Sequence, residues 1–337
     1  MIFTRELLRD RHRMSHRQID DLLHENKAKD YLDEKLKLLD FVRNFIQITD
    51  LLRDNEVEFI PLKGPILSQR LYGDPTVRIS HDIDLLIGKS DVPRAVSLLR
   101  DNGYNINKLS YWSEDTNVQK MLETITHHVS LIHKKSRINV EIHWSLSFFF
   151  PISEIKLKEI LNSNLTSLRI FDRDYIVLAP ELEFIYLSVH GSAHAWERVK
   201  WVADINEYSK QKLNYDKLSS LIKIFKADRS VAIAIEISQA IYDTNFQDLD
   251  SKKAPKRMVK FCLNQINIGE INNEGFIKLV KNILFRLSLF PQLTYKLRII
   301  KSLLINQRDL ANSNYRYLAF YYLIRPFSFI KRRLFHV

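Results

Sequence analysis

Along the first 55 residues apolar side chains recur at helical spacing, with Leu36, Leu39, Phe41, Ile46, Leu51 and Leu52 set among many charges, which predicts two or three helices. At Glu58 the pattern changes. Phe59-Ile60-Pro61-Leu62 is a short extended run, followed by Lys63-Gly64 and then Pro65, a residue favoured at the first helical position. This reads as strand, turn and helix, with the helix running to Tyr72 and closing at Gly73. Residues 83–87 form an apolar strand ended by Gly88, and a helix carrying Val92, Val96 and Leu99 stops at Asn102-Gly103. Residues 128–133 and 138–144 flank Lys134-Lys135-Ser136-Arg137, the pattern of a hairpin. Residues 170–178 read as one more strand, and nearly everything after them reads helical.

Alternating strands and helices up to about residue 150 predict an α+β fold, a small mixed sheet with flanking helices. The expected divisions are 1–55 for an N-terminal helical region, 56–150 for the sheet-bearing core, and 151–337 for a helical domain with a basic tail. The 45% hydrophobic content of the 337 residues is ample for packed cores. A single cysteine, Cys262, excludes an internal disulfide framework and a multi-cysteine zinc site. With charged residues from Arg5 onward instead of an apolar signal core, the expected location is cytoplasmic.

Charge is uneven. The chain carries 51 basic and 40 acidic residues, a net +11, whereas residues 281–337 hold eleven Lys/Arg against one acid, Asp309, and so account for +10. The basic balance therefore belongs to the tail. Four of the seven glycines, Gly64, Gly73, Gly88 and Gly103, fall close together, which marks that stretch for tight turns and close approach of backbone to a ligand.

Chemistry is concentrated in the same stretch. In Ser80-His81-Asp82-Ile83-Asp84-Leu85-Leu86 two carboxylates stand two apart on a strand, so they project to one face while Ile83 and Leu85 point into the core. Such a pair can clamp divalent ions that stabilise the oxygens of an in-line phosphoryl displacement. In Asn139-Val140-Glu141-Ile142-His143-Trp144 a second strand puts Glu141 and His143 on one face. If the two strands are neighbours, Glu141 can complete a metal site or take the proton from an acceptor hydroxyl.

Leu62-Lys63-Gly64, Leu71-Tyr72-Gly73-Asp74, Arg78, Asp82-Ile83-Asp84-Leu85-Leu86, Gly103-Tyr104 and Glu141-Ile142-His143-Trp144 together resemble the nucleotidyltransferase superfamily. The resemblance is to its bacterial branch of largely uncharacterised proteins labelled nucleotidyltransferase family 5. It extends to Leu187-Ser188-Val189-His190 and to the run from Trp196 to Ile205, and covers roughly residues 55–210. It implies a polymerase-beta-like sheet in which Asp82, Asp84 and Glu141 bind Mg2+ or Mn2+ and a helical domain closes over a nucleoside triphosphate (NTP). The superfamily's Gly-Ser or Gly-Gly pair is replaced here by Lys63-Gly64-Pro65. Gly64 near a helix N-terminus and the charge of Lys63 are the expected phosphate contacts, with Arg78 as a second candidate or else an ordinary ion-pairing arginine. His81, His143, His190 and Trp196 are expected around the carboxylates, although packing explains a large aromatic such as Trp196 equally well. His127, His128 and His133 have no regular ligand spacing, and Asp204 lies near Lys200 and Arg198 as in an ordinary ion pair.

The expected reaction is transfer of a nucleoside monophosphate from an NTP to a hydroxyl or phosphate acceptor. The resemblance suggests a small-molecule, glycan or peptide acceptor. Modification of tRNA or protein, or nucleotide binding without turnover, are the alternatives; RNA-binding motifs are missing, which disfavours nucleic acid. Residues 281–337 interleave aromatics and aliphatics with Lys/Arg. That pattern fits a packed helical domain with a solvated basic face or peripheral contact with an anionic membrane. Flotation with anionic liposomes separates the two. A lipid-binding tail gains about 1 kcal/mol per well-placed Lys or Arg, so binding at low salt should vanish as salt screens it and should weaken when Lys331, Arg332 and Arg333 become Gln. Protein left unbound at low salt argues for the packed domain.

Overall fold

A computed structural model describes residues 3–26, 31–108, 110–113, 115–148, 150, 152–246, 253–267 and 276–304. The chain opens with helices α1 (Arg5–Asp10), α2 (His16–Leu23) and α3 (Tyr31–Asp54), then β1 (Phe59–Pro61), α4 (Pro65–Tyr72), β2 (Asp82–Ile87), α5 (Val92–Asp101) and β3 (Tyr104–Ile106). It continues through α6 (Thr116–Glu123), β4 (His128–His133), β5 (Asn139–His143), α7 (Glu154–Asn162), β6 (Leu165–Ile170) and β7 (Arg173–Leu178). Helices follow: α8 (Pro180–Ala193), α9 (Val199–Ser209), α10 (Tyr215–Phe225), α11 (Asp228–Tyr242), α12 (Lys256–Asn267), α13 (Phe276–Leu289) and α14 (Leu293–Leu304). The fold is α+β, as the periodicity predicts.

The main sheet has the order β1-β2-β5-β4-β3. Its only parallel pair, β2 with β5, lies at the centre and aligns Asp84 with Glu141. Strand alternation sorts the faces. Ile83, Leu85 and Ile87 of β2, Val140 and Ile142 of β5, and Val129 and Leu131 of β4 form one core with Val42, Phe45, Ile48 and Leu52 of α3 and Val92, Val96 and Leu99 of α5. The opposite face carries the polar side chains. It is covered by a second, larger core built on α8, α9, α10 and α11, to which α1 and α2 add Leu8 and Ile19.

Residues 170–178 differ from the single strand expected. The strand there is β7, from Arg173, and Phe171 adopts a left-handed backbone, φ 52°, in a turn that joins it to β6, a strand not read from the sequence, as an antiparallel hairpin. The hairpin is tied to α3 by Arg173 on Asp50 and by Tyr175 Oη, 3.1 Å from Thr49 Oγ1. The short β3 and α6 carried no period strong enough to be read from the sequence. Of the basic tail, residues 305–337, including Lys331, Arg332 and Arg333, lie outside the described residues. In the described part Leu284, Leu293, Leu297 and Ile300 are exposed. No described helix is long and apolar enough to cross a membrane.

The N-terminal segment also fastens the helical layer. Arg198, the residue before α9, makes no side-chain cap, and the amide of Val199 instead donates to Nδ1 of the buried His12 at 3.2 Å. Arg11 donates to the carbonyls of Gln265 and Ile266 at the end of α12. Burial, with Arg11 and Arg198 nearby, holds the His12 pKa at about 4 against an ordinary 6.5. Between those values the unfolded chain binds the proton more readily, so this contribution to stability is intact above about pH 6.5 and is lost as pH falls toward 4. The melting temperature should therefore drop across that window. His12→Gln, which keeps an acceptor but no titrating ring, should flatten part of the drop; an unchanged acid slope would show that His12 does not contribute.

Candidate active site

The site begins with two turns. Gly64 leads into α4 at φ 71° and ψ −135°, a backbone region that side chains strain to enter, and a Cβ there would approach Ser80 Oγ and the Asp82 carbonyl at 3.9 Å. After α4, Asp74 Oδ1 accepts from the Thr76 amide at 2.8 Å. The buried Ser68 hydroxyl donates to the Asp74 carbonyl and accepts from the amides of Val77 and Arg78. These bonds shape the loop that delivers residues 78–82 to the start of β2.

The parallel register then brings carboxylates together. Asp84 sits beside Glu141 across β2 and β5, with Asp82 on the same face, and antiparallel pairing of β4 sets His128 beside His143. His143 Nε2 donates to Asp84 Oδ1 at 3.1 Å and lies 3.4 Å from Glu141 Oε2. Asp84 has no exposed side-chain surface, and its Oδ2 meets Lys63 Nζ at 3.2 Å. Burial would raise the Asp84 carboxyl, but the Lys63 ammonium and His143 hold it well below the usual carboxylate range. Burial likewise depresses Lys63, and Asp84, Tyr186, Asp82 and Glu141 outweigh it, so its pKa is raised. The Lys63 ammonium also stands 5.9 Å from the centre of the Tyr186 ring.

Helix α8 closes this face. Tyr186, His190 and His194 recur every fourth residue along it, and all three line a cavity of ≈ 360 Å³ together with Asp82, Glu141, His128 and His143. Trp201 joins them, its ring 5.4 Å from His190 and 5.3 Å from His194. Six Lys/Arg side chains line the cavity (Arg13, Lys63, Arg78, Arg198, Lys200 and Arg286) against the three carboxylates Asp82, Glu141 and Glu197. The balance suits an anionic ligand. Burial, then Lys200 and Arg13, bring His81 down to about 4, so it lines the cavity as a neutral ring. Burial and Arg78 lower Lys200 to about 7 while Asp82 opposes them.

Two expected contacts have other partners. Arg78 is 4% exposed and its guanidinium grips Asp204 with two bonds, 2.8 and 2.9 Å long, while Nη1 donates to Ser80 Oγ at 3.1 Å. Asp204 thus pairs across the two layers with Arg78, because α9 presents it to the β2 approach. Trp196 is fully buried. Its ring packs against Gly191, where a Cβ would come within 2.7 Å of it, and Nε1 donates to Ser192 Oγ at 3.3 Å. It shapes the corner between α8 and α9. Sequence spacing also passed over His127 and His128, which reach the site through β4, whereas His133 turns to the other face and bonds Ser136. The fourfold spacing of Tyr186, His190 and His194 was the one signal that could have marked this wall.

Asp84, Glu141 and His143 each offer one atom, all within 4.8 Å of one another, as do His127, His128 and His143. Asp82 belongs to neither group among the described residues. Asp84 Oδ2 is buried with no aligned hydrogen-bond donor. An ionised carboxylate beside a second carboxylate offers the oxygen ligands that a divalent cation takes, with Lys63 Nζ 3.2 Å from Asp84 Oδ2 as the counter-charge in this structure.

A family described as an uncharacterised nucleotidyltransferase matches residues 13–243. No curated protein matches the chain.

Removing one member of a buried ion pair leaves the other charge uncompensated, at about 3–5 kcal/mol. Lys63→Met and Asp84→Asn should each destabilise the protein on that scale in urea unfolding. The double variant should lose clearly less than the sum. Additive losses would show that the two groups are not coupled.

Proposed function

With the chain belonging to this family of nucleotidyltransferases, we propose that it moves a nucleoside monophosphate from an NTP to a hydroxyl or phosphate acceptor. The acceptor oxygen forms a bond to the α-phosphorus as the bond from that phosphorus to the α–β bridging oxygen breaks. Pyrophosphate leaves with the electron pair, and the acceptor's proton passes to a base. The observation that carries this reading is the register of β2 against β5, which aligns Asp84 with Glu141 and sets Asp82 on the same face under a wall of cations.

Asp82, Asp84 and Glu141 would hold Mg2+ or Mn2+, whose charge, when bound, neutralises phosphate oxygens. Lys63 and His143 keep Asp84 ionised. Glu141, only partly buried at the cavity wall, would complete that metal site or else take the acceptor's proton. Lys200, Arg198 and Arg286 face the carboxylates from the helical layer, and we assign the triphosphate to them together with Lys63 and the backbone at Gly64. Arg78, matched by Asp204, holds β2 and α9 in register. At ≈ 360 Å³ the cavity is near the lower end for ligand sites. It accommodates the reacting end of an acceptor better than a folded macromolecule, in keeping with a small molecule or the terminus of a glycan or peptide. The reaction belongs in the cytoplasm, where NTP is supplied.

The test is thermal unfolding with NTP in Mg2+ or Mn2+ against chelator. Saturation near 100 times Kd contributes about 2.7 kcal/mol, a rise of about 3–5 °C, and chelator should remove most of it. Asp82→Asn and Glu141→Gln should abolish the rise and the release of pyrophosphate while leaving the unliganded melt near wild type. Equal stabilisation of wild type and both variants would refute the assignment.

A further inference from the structure

Three imidazoles converge next to the carboxylates without any spacing that announces them. His128 and His143 are partners across β4 and β5. His127 lies just before β4, where its carbonyl accepts from the Trp144 amide at 3.0 Å and the backbone bends. That bend allows adjacent residues to turn their rings to the same side, which a regular strand forbids. We propose that His127, His128 and His143 form a nitrogen-donor site for one borderline divalent ion of the Zn2+ type, distinct in chemistry from the oxygen ligands assigned above.

Geometry supports this. One nitrogen from each ring lies within 4.8 Å of the others, and the ring centres are 4.7, 4.9 and 5.4 Å apart. An ion with Zn–N distances of about 2.0–2.1 Å holds imidazole centres roughly 3.2 Å away, which at tetrahedral angles sets them about 5 Å from one another. The ring-centre spacing matches that of a three-histidine site, and the nitrogens would draw together on an ion. A second observation is independent of the distances. Nδ1 of His128 and Nδ1 of His143 are both buried and have no hydrogen-bond partner. Each unmatched buried polar atom is disfavoured in an apolar setting, and an ion ligated through Nδ1 would relieve it while His143 Nε2 keeps its bond to Asp84. Imidazoles suit zinc, cobalt, nickel and copper, whereas carboxylates suit magnesium and manganese.

Glu141 stands beside the cluster, its Oε2 3.8 Å from His128 Nε2 and 3.4 Å from His143 Nε2. Because His143 also bonds Asp84 at 3.1 Å, the nitrogen site and the carboxylate group share a residue. Filling one changes the other. The site does not depend on nucleotidyl transfer; it stands on the three rings alone.

Co2+ is a suitable probe, since it replaces Zn2+ and absorbs visibly in tetrahedral nitrogen sites. Full-length protein freed of metal by chelator should take up one Co2+ with a visible d–d band, and X-ray absorption at the cobalt edge should count three imidazoles. His127→Gln and His128→Gln should each weaken binding at least tenfold, while Asp82→Asn should retain it. No stoichiometric uptake by wild type, fewer than three imidazoles, or wild-type affinity in either histidine variant would overturn the proposal. The X-ray measurement uses wild-type protein, so a variant that folds poorly does not decide the matter. Binding of Mg2+ with NTP, followed on the same samples, reports separately on the carboxylates.

Discussion

A carboxylate with no solvent exposure stands at the centre of the sheet, and much of the architecture around it serves to keep that charge in place. Taking an anion out of water costs several kcal/mol even after relaxation. Asp84 is compensated by Lys63 at 3.2 Å and His143 at 3.1 Å, and each partner imposes a structural demand. Lys63 must leave β1 immediately before a residue that can adopt φ 71°, hence Gly64. His143 must come from a strand two residues beyond the position aligned with Asp84, hence the parallel pairing of β2 and β5. Tyr186 must cover the ammonium from above, which brings α8 down on the polar face.

The same demand explains how the two layers are joined. A polar sheet face cannot be sealed by apolar side chains alone, so the helical layer meets it with groups that match its charges. Arg78 reaches from the approach to β2 and takes Asp204 of α9 with two hydrogen bonds, a geometry to which a planar guanidinium is suited. Arg70 on α4 pairs with the buried Glu183 of α8 at 2.8 Å. Between these anchors remains a cavity lined by both signs of charge, with Lys63 and Arg78 near Asp82 and Glu141 on the sheet side and Glu197 near Arg198 and Lys200 on the helical side. Charges of both signs therefore face one space, and each lowers the electrostatic cost of the other. The N-terminal segment completes the arrangement by capping α9 through His12.

Local chemistry carried most of what could be read in advance. Strand alternation placed Asp82 with Asp84 and Glu141 with His143, and the turn residues Gly64, Gly73 and Gly103, all with positive φ, marked the ends of elements. The hairpin of β4 and β5 was visible from its apolar runs and its polar turn. Where local signals were weak, the reading failed. A left-handed Phe171 has no sequence signature, so the turn before β7 went unread and β6 with it. Short β3 and α6 fell below the length at which a period shows. Arg78 read either as a phosphate contact or as an ion-pairing arginine, and its partner, Asp204, lies too far along the chain for spacing to name it.

The sequence by itself determined the α+β class, the positions of Asp82, Asp84 and Glu141 on their strands and the family to which they point, because side-chain direction within a strand or helix depends only on neighbours in the chain. Only the tertiary structure decided which of those groups meet. The alignment of β2 with β5, the partnership of Lys63 with Asp84 and of Arg78 with Asp204, and the convergence of His127, His128 and His143 all join residues from separate elements. Their pairing is set by how two cores pack against opposite faces of one sheet, a long-range constraint that spacing along the chain does not encode.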